Sequence, residues 1–182
     1  MLSIIRSWAN TDLFADDIAL SCAKLSKQEK IRCQARRWDL LERNRELWTS
    51  FVEMVRSTVD IPQDWKLSSL STNTTWQGYS YIRKHRDYPY DDGRDINPAD
   101  ATLSIQTILS VGEATNTFGA EAAIRAGDVN SGTLIQPEIH NGDLIYYDGR
   151  LIHSALPNVL GSRTFVLATF IHPSIDIMKM RV

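Results

Sequence analysis

The part of the chain after Ile61-Pro62 constrains the fold most, because there the residue pattern changes from helical to strand-like. From this point to Ser174 the sequence consists of short segments rich in β-branched and aromatic residues, separated by Gly, Pro, Asn and Asp. The segments predict strands at Leu67–Thr72, Thr75–Lys84, Ala101–Val111, Ala120–Arg125, Thr133–Pro137, Asp143–Tyr147, Leu151–Leu156 and Thr164–Ile171. A series of short strands like this favours a sandwich or a jelly-roll barrel.

One predicted strand also indicates which of its faces is covered. Along Ala101–Val111 the odd positions are apolar except for Thr107, whereas the even positions include Ser104, Gln106 and Ser110. Successive side chains of a strand point to opposite faces, so the odd face should pack against another layer and the even face should look into the barrel. Gln106 is therefore a candidate to line a site inside the barrel.

The first sixty residues are predicted to be helical, because apolar side chains recur there at intervals of three and four. The clearest series is Leu47, Trp48, Phe51, Val52 and Val55. Ser26 with Glu29 forms a capping box that would begin the longer helix, and Thr11 could cap a shorter one ahead of it. These helices are the available cover for the apolar face of the sheet.

We expect residues 1–182 to form a single domain, because two domains of ordinary size would each have too small a core. Within it, 1–60 would be helical support, 62–173 the β core and 174–182 a tail. Cys22 and Cys33 do not have the spacing of a zinc motif, and we interpret them as reduced thiols in the helical part.

The charge balance and the apolar segments exclude several partners. A formal net charge of −2 supplies no overall positive field for nucleic acid or for an anionic membrane. The apolar run within Met1–Trp8 is too short for a secretory signal, and no segment approaches the roughly 20 apolar residues of a membrane span. We therefore expect a cytoplasmic protein that binds neither nucleic acid nor membranes, while its oligomeric state stays open.

Two side chains that bind metals stand at the end of the predicted strand Thr75–Lys84. In an extended chain His85 and Asp87 project to the same side, about 7 Å apart at the backbone, so both can reach one ion. Imidazole and carboxylate suit ferrous iron, and one more histidine would complete a 2-His-1-carboxylate set. The alternative is a surface ion pair at a strand end.

His153 is the leading candidate for the third ligand, because it stands early in the strand that follows the turn at Asp148-Gly149. The next strand begins near Arg163, and a hairpin of that length returns Arg163 to the neighbourhood of His153. A guanidinium binds a carboxylate through two parallel hydrogen bonds. The alternative for His153 is a buried structural histidine, and we interpret His140 and His172 as structural or solvent-facing.

At these residues the sequence resembles the 2-oxoglutarate/iron(II)-dependent oxygenase superfamily, whose pattern is H-x-D, a distant His, and then Arg or Lys about ten residues later. Leu103–Leu109 and Asn141–Ala155 look most like the prolyl-4-hydroxylase-related branch. Of that branch's Gly-Gly-Glu-Thr-x-Phe stretch, only Thr115–Phe118 is similar here. The resemblance implies a double-stranded β-helix, a jelly-roll or cupin-like barrel with helices packed on its major sheet.

The resemblance also implies a reaction. Fe(II) would be bound by His85, Asp87 and His153, and 2-oxoglutarate would chelate it through the C1 carboxylate and the keto oxygen. The C5 carboxylate of 2-oxoglutarate would lie on Arg163. Reaction with O2 would release succinate and CO2 and hydroxylate a C–H bond, and the carboxylate of Asp87 argues against halogenation.

Two tyrosines are candidate co-substrate contacts. Tyr79 and Tyr81 share the strand parity of His85, and members of this superfamily often have a tyrosine just before H-x-D. Either could hydrogen-bond 2-oxoglutarate, as could Gln106. Packing in the core is an equally good interpretation of each tyrosine.

The predicted substrate is a small molecule, an amino acid or a peptide side chain. A nucleic-acid demethylase is disfavoured, because base-repair oxygenases carry a second arginine six residues after the co-substrate arginine and this chain has Thr169 there. A non-catalytic, cupin-like binding module is the remaining alternative. Such a module would not need all four of the metal and co-substrate residues.

Overall fold

The computed structural model describes residues 2–23, 32–76, 104–111, 116–121, 134–135, 138–149, 151, 153–155 and 162–174. The helices in these residues are α1 (Asp12–Ala23), α2 (Arg37–Arg43) and α3 (Arg45–Val59). The strands are β1 (Leu2–Ile5), β2 (Arg32–Arg36), β3 (Lys66–Trp76), β4 (Ser104–Val111), β5 (Asn116–Glu121), β6 (Leu134–Ile135), β7 (Glu138–Ile139), β8 (Leu144–Asp148), β9 (His153–Ala155) and β10 (Ser162–Ile171).

Six of the described strands form one antiparallel sheet in the order β1-β8-β4-β10-β3-β2. β10 lies inside this sheet, since Thr164 is opposite Thr74 of β3 and also opposite Val111 of β4. A second, smaller group is organised around β5, which pairs with β6 and β7 and, separately, with β9. The chain is therefore mainly β with helices near its N-terminus, as predicted.

The three helices cover one face of the large sheet. Their buried residues form a cluster with Leu70 of β3, Leu144 of β8 and the even positions of β10 from Val166 to Phe170. Trp48 lies at the centre of this cluster, fully buried, and its indole Nε1 donates to Asp17 Oδ2 over 2.7 Å. Of the predicted apolar series, α3 buries Trp48, Phe51, Val52 and Val55. The helix begins at Arg45, after β2 and α2, so the prediction of one long helix starting at Ser26 was wrong; Ser26 and Glu29 themselves lie outside the described residues.

The two ends of α3 explain its length. The side chain of Asn44 accepts a hydrogen bond from the Leu47 N–H at the first turn. After the last turn Asp60 adopts a left-handed backbone conformation, with φ 56°. Arg56 then donates to the carbonyl oxygens of Pro62 and Trp65, which joins the helix to the start of β3.

A second apolar cluster lies on the opposite face of the large sheet. It contains Ile145 and Tyr147 of β8, Phe165 of β10 and Ile139 of β7. Strand parity explains the division, because Leu144 and Ile145 are consecutive residues of one strand and enter different clusters. Each face of the large sheet thus carries a buried apolar cluster.

The register of β4 agrees with the alternation predicted for it. Leu109 is opposite Val166, which belongs to the helix-covered face, whereas Gln106 is opposite Tyr147, which belongs to the other face. Paired residues of an antiparallel sheet share a face. The odd positions of β4 are therefore on the helix side, and its even positions are on the side of the second cluster.

The prediction that the first sixty residues are helical was wrong at β1 and β2. Both are edge strands of the large sheet, and β2 pairs with β3 while β1 pairs with β8, far along the chain. Edge pairing of this kind depends on tertiary structure and leaves a weak local signal. Cys33 consequently lies in β2 and not in a helix, whereas Cys22 does lie in α1 and Thr11 directly precedes that helix.

Several predicted strand boundaries also differ. β3 continues without a break through residues 72 to 75, because β2 and β10 pair with it on both sides. β5 begins at Asn116 and not at Ala120. β7 occupies Glu138–Ile139, where no strand was predicted, because these residues pair with Thr117 and Asn116.

The turn before β8 is bound to the segment that follows β1. The carboxylate of Asp143 accepts from the backbone N–H groups of Ser7 and His140 and from the Arg6 guanidinium. Burial alone would raise the pKa of Asp143, but these hydrogen bonds outweigh it and hold the pKa below its usual value. Gly142 has φ +83°, and a Cβ there would meet the Ala9 carbonyl oxygen at 2.6 Å.

Among the described residues, no helix combines the length and the apolar character needed to cross a bilayer.

Candidate functional site

His153 begins β9 and is buried, with 5% of its surface exposed. Its strand pairs with β5, where Ala120 is the residue opposite. The imidazole packs against the ring of Tyr147, with ring centroids 5.1 Å apart and planes inclined by 54°. Since Tyr147 belongs to the second cluster, His153 of the smaller group of strands faces the sheet surface that the helices do not cover.

Both ring nitrogens of His153 have a polar neighbour. Nδ1 is 3.2 Å from the carbonyl oxygen of Leu151, and Nε2 is 3.3 Å from the hydroxyl oxygen of Tyr147. A carbonyl oxygen only accepts, so Nδ1 is the nitrogen that carries the proton. In the neutral ring Nε2 then has the lone pair, and a histidine whose other nitrogen donates to a backbone carbonyl is the usual form of a metal ligand.

Tyr147 was not among the residues expected from the sequence. It is 2% exposed, and its hydroxyl reaches His153 only because β8 and β9 belong to different groups of strands that face each other. The signal that could have found it is parity, since Ile145 and Tyr147 share one face of β8 while Leu144 and Tyr146 share the other. A tyrosine on the same face as a predicted site is a candidate to contact it.

Arg163 lies near the beginning of β10, opposite Thr75 of β3. Alternation puts position 163 on the same face as Phe165 and Leu167, both of which contribute to the second cluster. This is also the face to which Tyr147 belongs. The backbone of β10 thus runs from position 163 along the surface that His153 faces.

Position 106 of β4 is on that surface as well. Gln106 is opposite Thr169 of β10 on one side and opposite Tyr147 of β8 on the other. The hydroxyl of Thr169 accepts from Ser69 across 2.9 Å, so this level of the sheet carries polar groups. Because it is paired with Tyr147, the backbone of Gln106 lies next to the candidate site.

The other predicted site residues, His85, Asp87, Tyr79 and Tyr81, lie outside the described residues. Within the part of the chain that the structure describes, no three His, Cys, Asp or Glu side chains are grouped so as to hold a metal ion. Of the predicted metal ligands, that part contains His153 alone. The predicted ligand set of His85, Asp87 and His153 therefore stays a prediction.

The two remaining histidines have environments of other kinds. His140 is exposed, and its Nε2 lies 3.9 Å from a carboxylate oxygen of the equally exposed Glu138. His172 hydrogen-bonds Ser174 through Nδ1 and packs edge-on against Trp65. Both agree with the structural or solvent-facing roles expected for them.

No protein-family model and no curated protein matches the chain. Solved structures do match it over nearly its whole length. The non-haem α-ketoglutarate-dependent epimerase SnoN from nogalamycin biosynthesis is 13% identical, with a TM-score of 0.64 over 97% of this chain and 83% of SnoN. HygX from Streptomyces hygroscopicus, solved with nickel and 2-oxoglutarate, is 9% identical, with a TM-score of 0.69 over 96% of this chain and 84% of HygX.

A prolyl hydroxylase is among the similar structures too. The viral collagen prolyl hydroxylase vCPH from Paramecium Bursaria Chlorella virus-1, in complex with 2-oxoglutarate, is 14% identical, with a TM-score of 0.58 over 94% of this chain and 95% of vCPH. The chain therefore has the fold of 2-oxoglutarate/iron(II) oxygenases. The resemblance predicted from the sequence is confirmed at the level of the fold.

Proposed function

We propose that this protein is an Fe(II)- and 2-oxoglutarate-dependent dioxygenase. The observation that carries the proposal is the state of His153, a buried imidazole whose Nδ1 is bonded to the Leu151 carbonyl and whose Nε2 faces the second side of the sheet. A nitrogen lone pair oriented in this way inside an oxygenase fold is suited to bind a metal. We propose further that the two groups of strands close into a double-stranded β-helix around it.

In this proposal His85, Asp87 and His153 hold the metal, and Arg163 binds the C5 carboxylate of 2-oxoglutarate. When bound, Fe(II) supplies the chemistry by which 2-oxoglutarate and O2 become succinate and CO2 while a C–H bond of the substrate is oxidised. The protein positions the co-substrate and the substrate, and it excludes water from the site. The apolar residues Ile139, Ile145 and Phe165 beside Tyr147 exclude water. Gln106, Tyr79 and Tyr81 are proposed to line the co-substrate pocket.

We propose hydroxylation of a small-molecule, amino-acid or peptidyl substrate as the outcome. The similar structures include proteins with different substrates and reactions. One HygX structure contains hygromycin B, whereas another similar protein is a collagen prolyl hydroxylase and a third is an epimerase. Measuring succinate release across amino acids, peptides and secondary metabolites would identify the substrate class.

The test is anaerobic addition of Fe(II) and 2-oxoglutarate, with observation of the visible metal-to-ligand charge-transfer band, followed by succinate release in air. We expect a band in the parent protein, none with Asp87→Ala, and a much higher half-saturating 2-oxoglutarate concentration with Arg163→Ala, because that variant lacks the charged partner of the C5 carboxylate. A parent protein that gives neither a band nor succinate would contradict the proposal.

One observation favours a second candidate, a non-catalytic cupin-like binding module. His153 has polar neighbours at both ring nitrogens, as a buried structural histidine also would. The same titration separates the two functions, because a binding module would release no succinate. A nucleic-acid demethylase is less well supported, since Thr169 stands where that group has an arginine and its hydroxyl is bonded to Ser69.

We also propose that residues 1–182 act as one domain in the cytoplasm and do not bind nucleic acid. The near-neutral charge balance supports the last point. An electrophoretic mobility assay at low salt, with single- and double-stranded DNA, would detect such binding if it occurred.

A further inference from the structure

Tyr147 places a phenol hydroxyl directly in front of the nitrogen that the proposed function assigns to the metal. The hydroxyl oxygen is 3.3 Å from His153 Nε2, and the two rings are in contact. Ile139, Ile145 and Phe165 belong to the same apolar cluster as Tyr147. A tyrosine buried among such residues hydrogen-bonds through its hydroxyl, whereas phenylalanine would fill the same space without that requirement.

The direction of the hydrogen bond between Tyr147 and His153 follows from the partner of the other ring nitrogen, Nδ1. Nδ1 carries a proton because its neighbour is the Leu151 carbonyl oxygen, which only accepts. In the neutral imidazole Nε2 therefore accepts, and the hydroxyl of Tyr147 donates. An sp² nitrogen has one lone pair, so Nε2 cannot accept this hydrogen bond and bind a metal ion at the same time.

We propose that Tyr147 is a positioning residue that occupies the metal-binding nitrogen of His153 in the metal-free protein, so that a metal ion must displace its hydroxyl. Contact between the rings and the hydrogen bond together hold the imidazole in one orientation while the site is empty of metal. This inference rests on the proposed function, because it takes Nε2 of His153 to be a metal ligand. It adds a residue that competes with the metal.

The test is the affinity for Ni(II), a redox-stable probe, measured by isothermal titration calorimetry on the parent protein and on Tyr147→Phe. The phenylalanine ring keeps the contact with His153 and removes only the donor. We expect Ni(II) to bind Tyr147→Phe roughly two- to tenfold more tightly, which is the ratio that corresponds to the net contribution of one hydrogen bond.

A second readout reports on the nitrogen itself. In metal-free protein labelled with ¹⁵N-histidine, loss of the donor should shift the Nε2 resonance of His153 in the direction expected when a hydrogen-bond donor is withdrawn, and leave the resonances of His140 in place. A change in packing alone would not select one nitrogen. Tyr146→Phe is the matched control, because Tyr146 is the neighbouring residue on the opposite face of β8.

The outcomes separate this inference from the function on which it rests. If Ni(II) binds the parent protein and binding is lost in His153→Ala, but Tyr147→Phe binds with unchanged or lower affinity, the role of Tyr147 is overturned and the proposed function stands. If the parent protein binds no Ni(II), or if His153→Ala binds it as well as the parent does, the proposed function fails first.

Discussion

Both faces of the six-stranded sheet carry a buried apolar cluster, yet the two faces differ in what their buried polar groups contact. On the helix-covered face a buried pair of hydroxyls, Thr74 and Thr164, is bonded within the sheet across 2.6 Å. On the other face the buried phenol of Tyr147 is directed at an imidazole that belongs to the second group of strands. In the first arrangement the hydrogen bond joins two strands of the same sheet, whereas in the second it joins the large sheet to the imidazole of His153, which we propose to bind a metal.

This difference assigns separate tasks to the two faces. The helix-covered face contains the large aromatic contacts among Phe14, Trp48 and Phe51, which need no ligand. We therefore expect substitutions there to change the free energy of unfolding and leave metal affinity unchanged per folded molecule. Substitutions at His153 should lower metal affinity and have a smaller effect on the free energy of unfolding.

The largest effect on stability should come from Trp48→Ala. The side chain is fully buried and its indole donates to Asp17, so the substitution removes core packing and one partner of a buried carboxylate. We expect a loss of about 3–5 kcal/mol in the free energy of unfolding, measured by urea denaturation. Leu13→Ala in α1, where the side chain is 63% exposed, is the control and should cost less than about 0.5 kcal/mol. A loss below about 1 kcal/mol for Trp48→Ala would contradict the assignment of the core to this face.

The next largest effect should come from Asp143→Asn, because Asp143 precedes β8, the strand that supplies residues to both faces. Its side chain is 1% exposed and accepts from Arg6, Ser7 and His140. We expect a loss of about 1–3 kcal/mol at neutral pH.

The loss at Asp143 should also depend on pH in a defined direction. The pKa of Asp143 in the folded protein is lowered, so its contribution is present above the unfolded value of about 4 and disappears as the pH falls through the folded value. Urea denaturation from pH 7 to pH 3 should therefore show parent and Asp143→Asn converging in acid. Asp64→Asn, at an exposed position, is the control and should remain parallel to the parent. Curves that stay equally far apart would show that the carboxylate charge is not what stabilises this turn.

A smaller effect should come from the hydroxyl pair of the helix-covered face. Thr164→Val alone leaves the buried hydroxyl of Thr74 without this partner, and we expect a cost of about 1–2 kcal/mol. Adding Thr74→Val should recover part of that cost, since both hydroxyls are then replaced by methyl groups of similar shape. A double-mutant cycle measures this coupling. Additive losses would mean that the pair is not a unit, and a change in Ni(II) affinity would mean that this face also contributes to the site.

Some parts of the fold could be predicted from the sequence because their signal is local. The apolar series from Leu47 to Val55 identifies α3, and the alternation in β4 identifies its two faces without knowledge of its partners. β1 and β2 could not be predicted in this way, because they are strands by virtue of pairing with β8 and β3. The gap expected between residues 72 and 75 is closed by the same kind of long-range pairing.

In the candidate site, too, some features have a local sequence signal and others depend on long-range contacts. His153 could be named as a candidate from the sequence, because a strand signal precedes it and an arginine follows at a characteristic interval. Strand parity gives the face of β8 on which Tyr147 lies, but the contact of its hydroxyl with His153 could not be predicted, because it forms only when β8 and β9 face each other from two groups of strands. Residue type and spacing make His153 a candidate ligand, whereas the contact between Tyr147 and His153 depends on tertiary structure. The roles of His85, Asp87, His153 and Arg163 remain predictions.

The most direct measurement compares two single substitutions, His153→Ala and His140→Ala, in an anaerobic titration with Fe(II) and excess 2-oxoglutarate. His140 is exposed and lies on the turn before β8, so its loss should not affect the metal. We expect the charge-transfer band in the parent protein and in His140→Ala, and its loss in His153→Ala with the fold intact by circular dichroism. A band of unchanged intensity in folded His153→Ala would contradict the central claim that His153 holds the metal on the side of the large sheet opposite the helices.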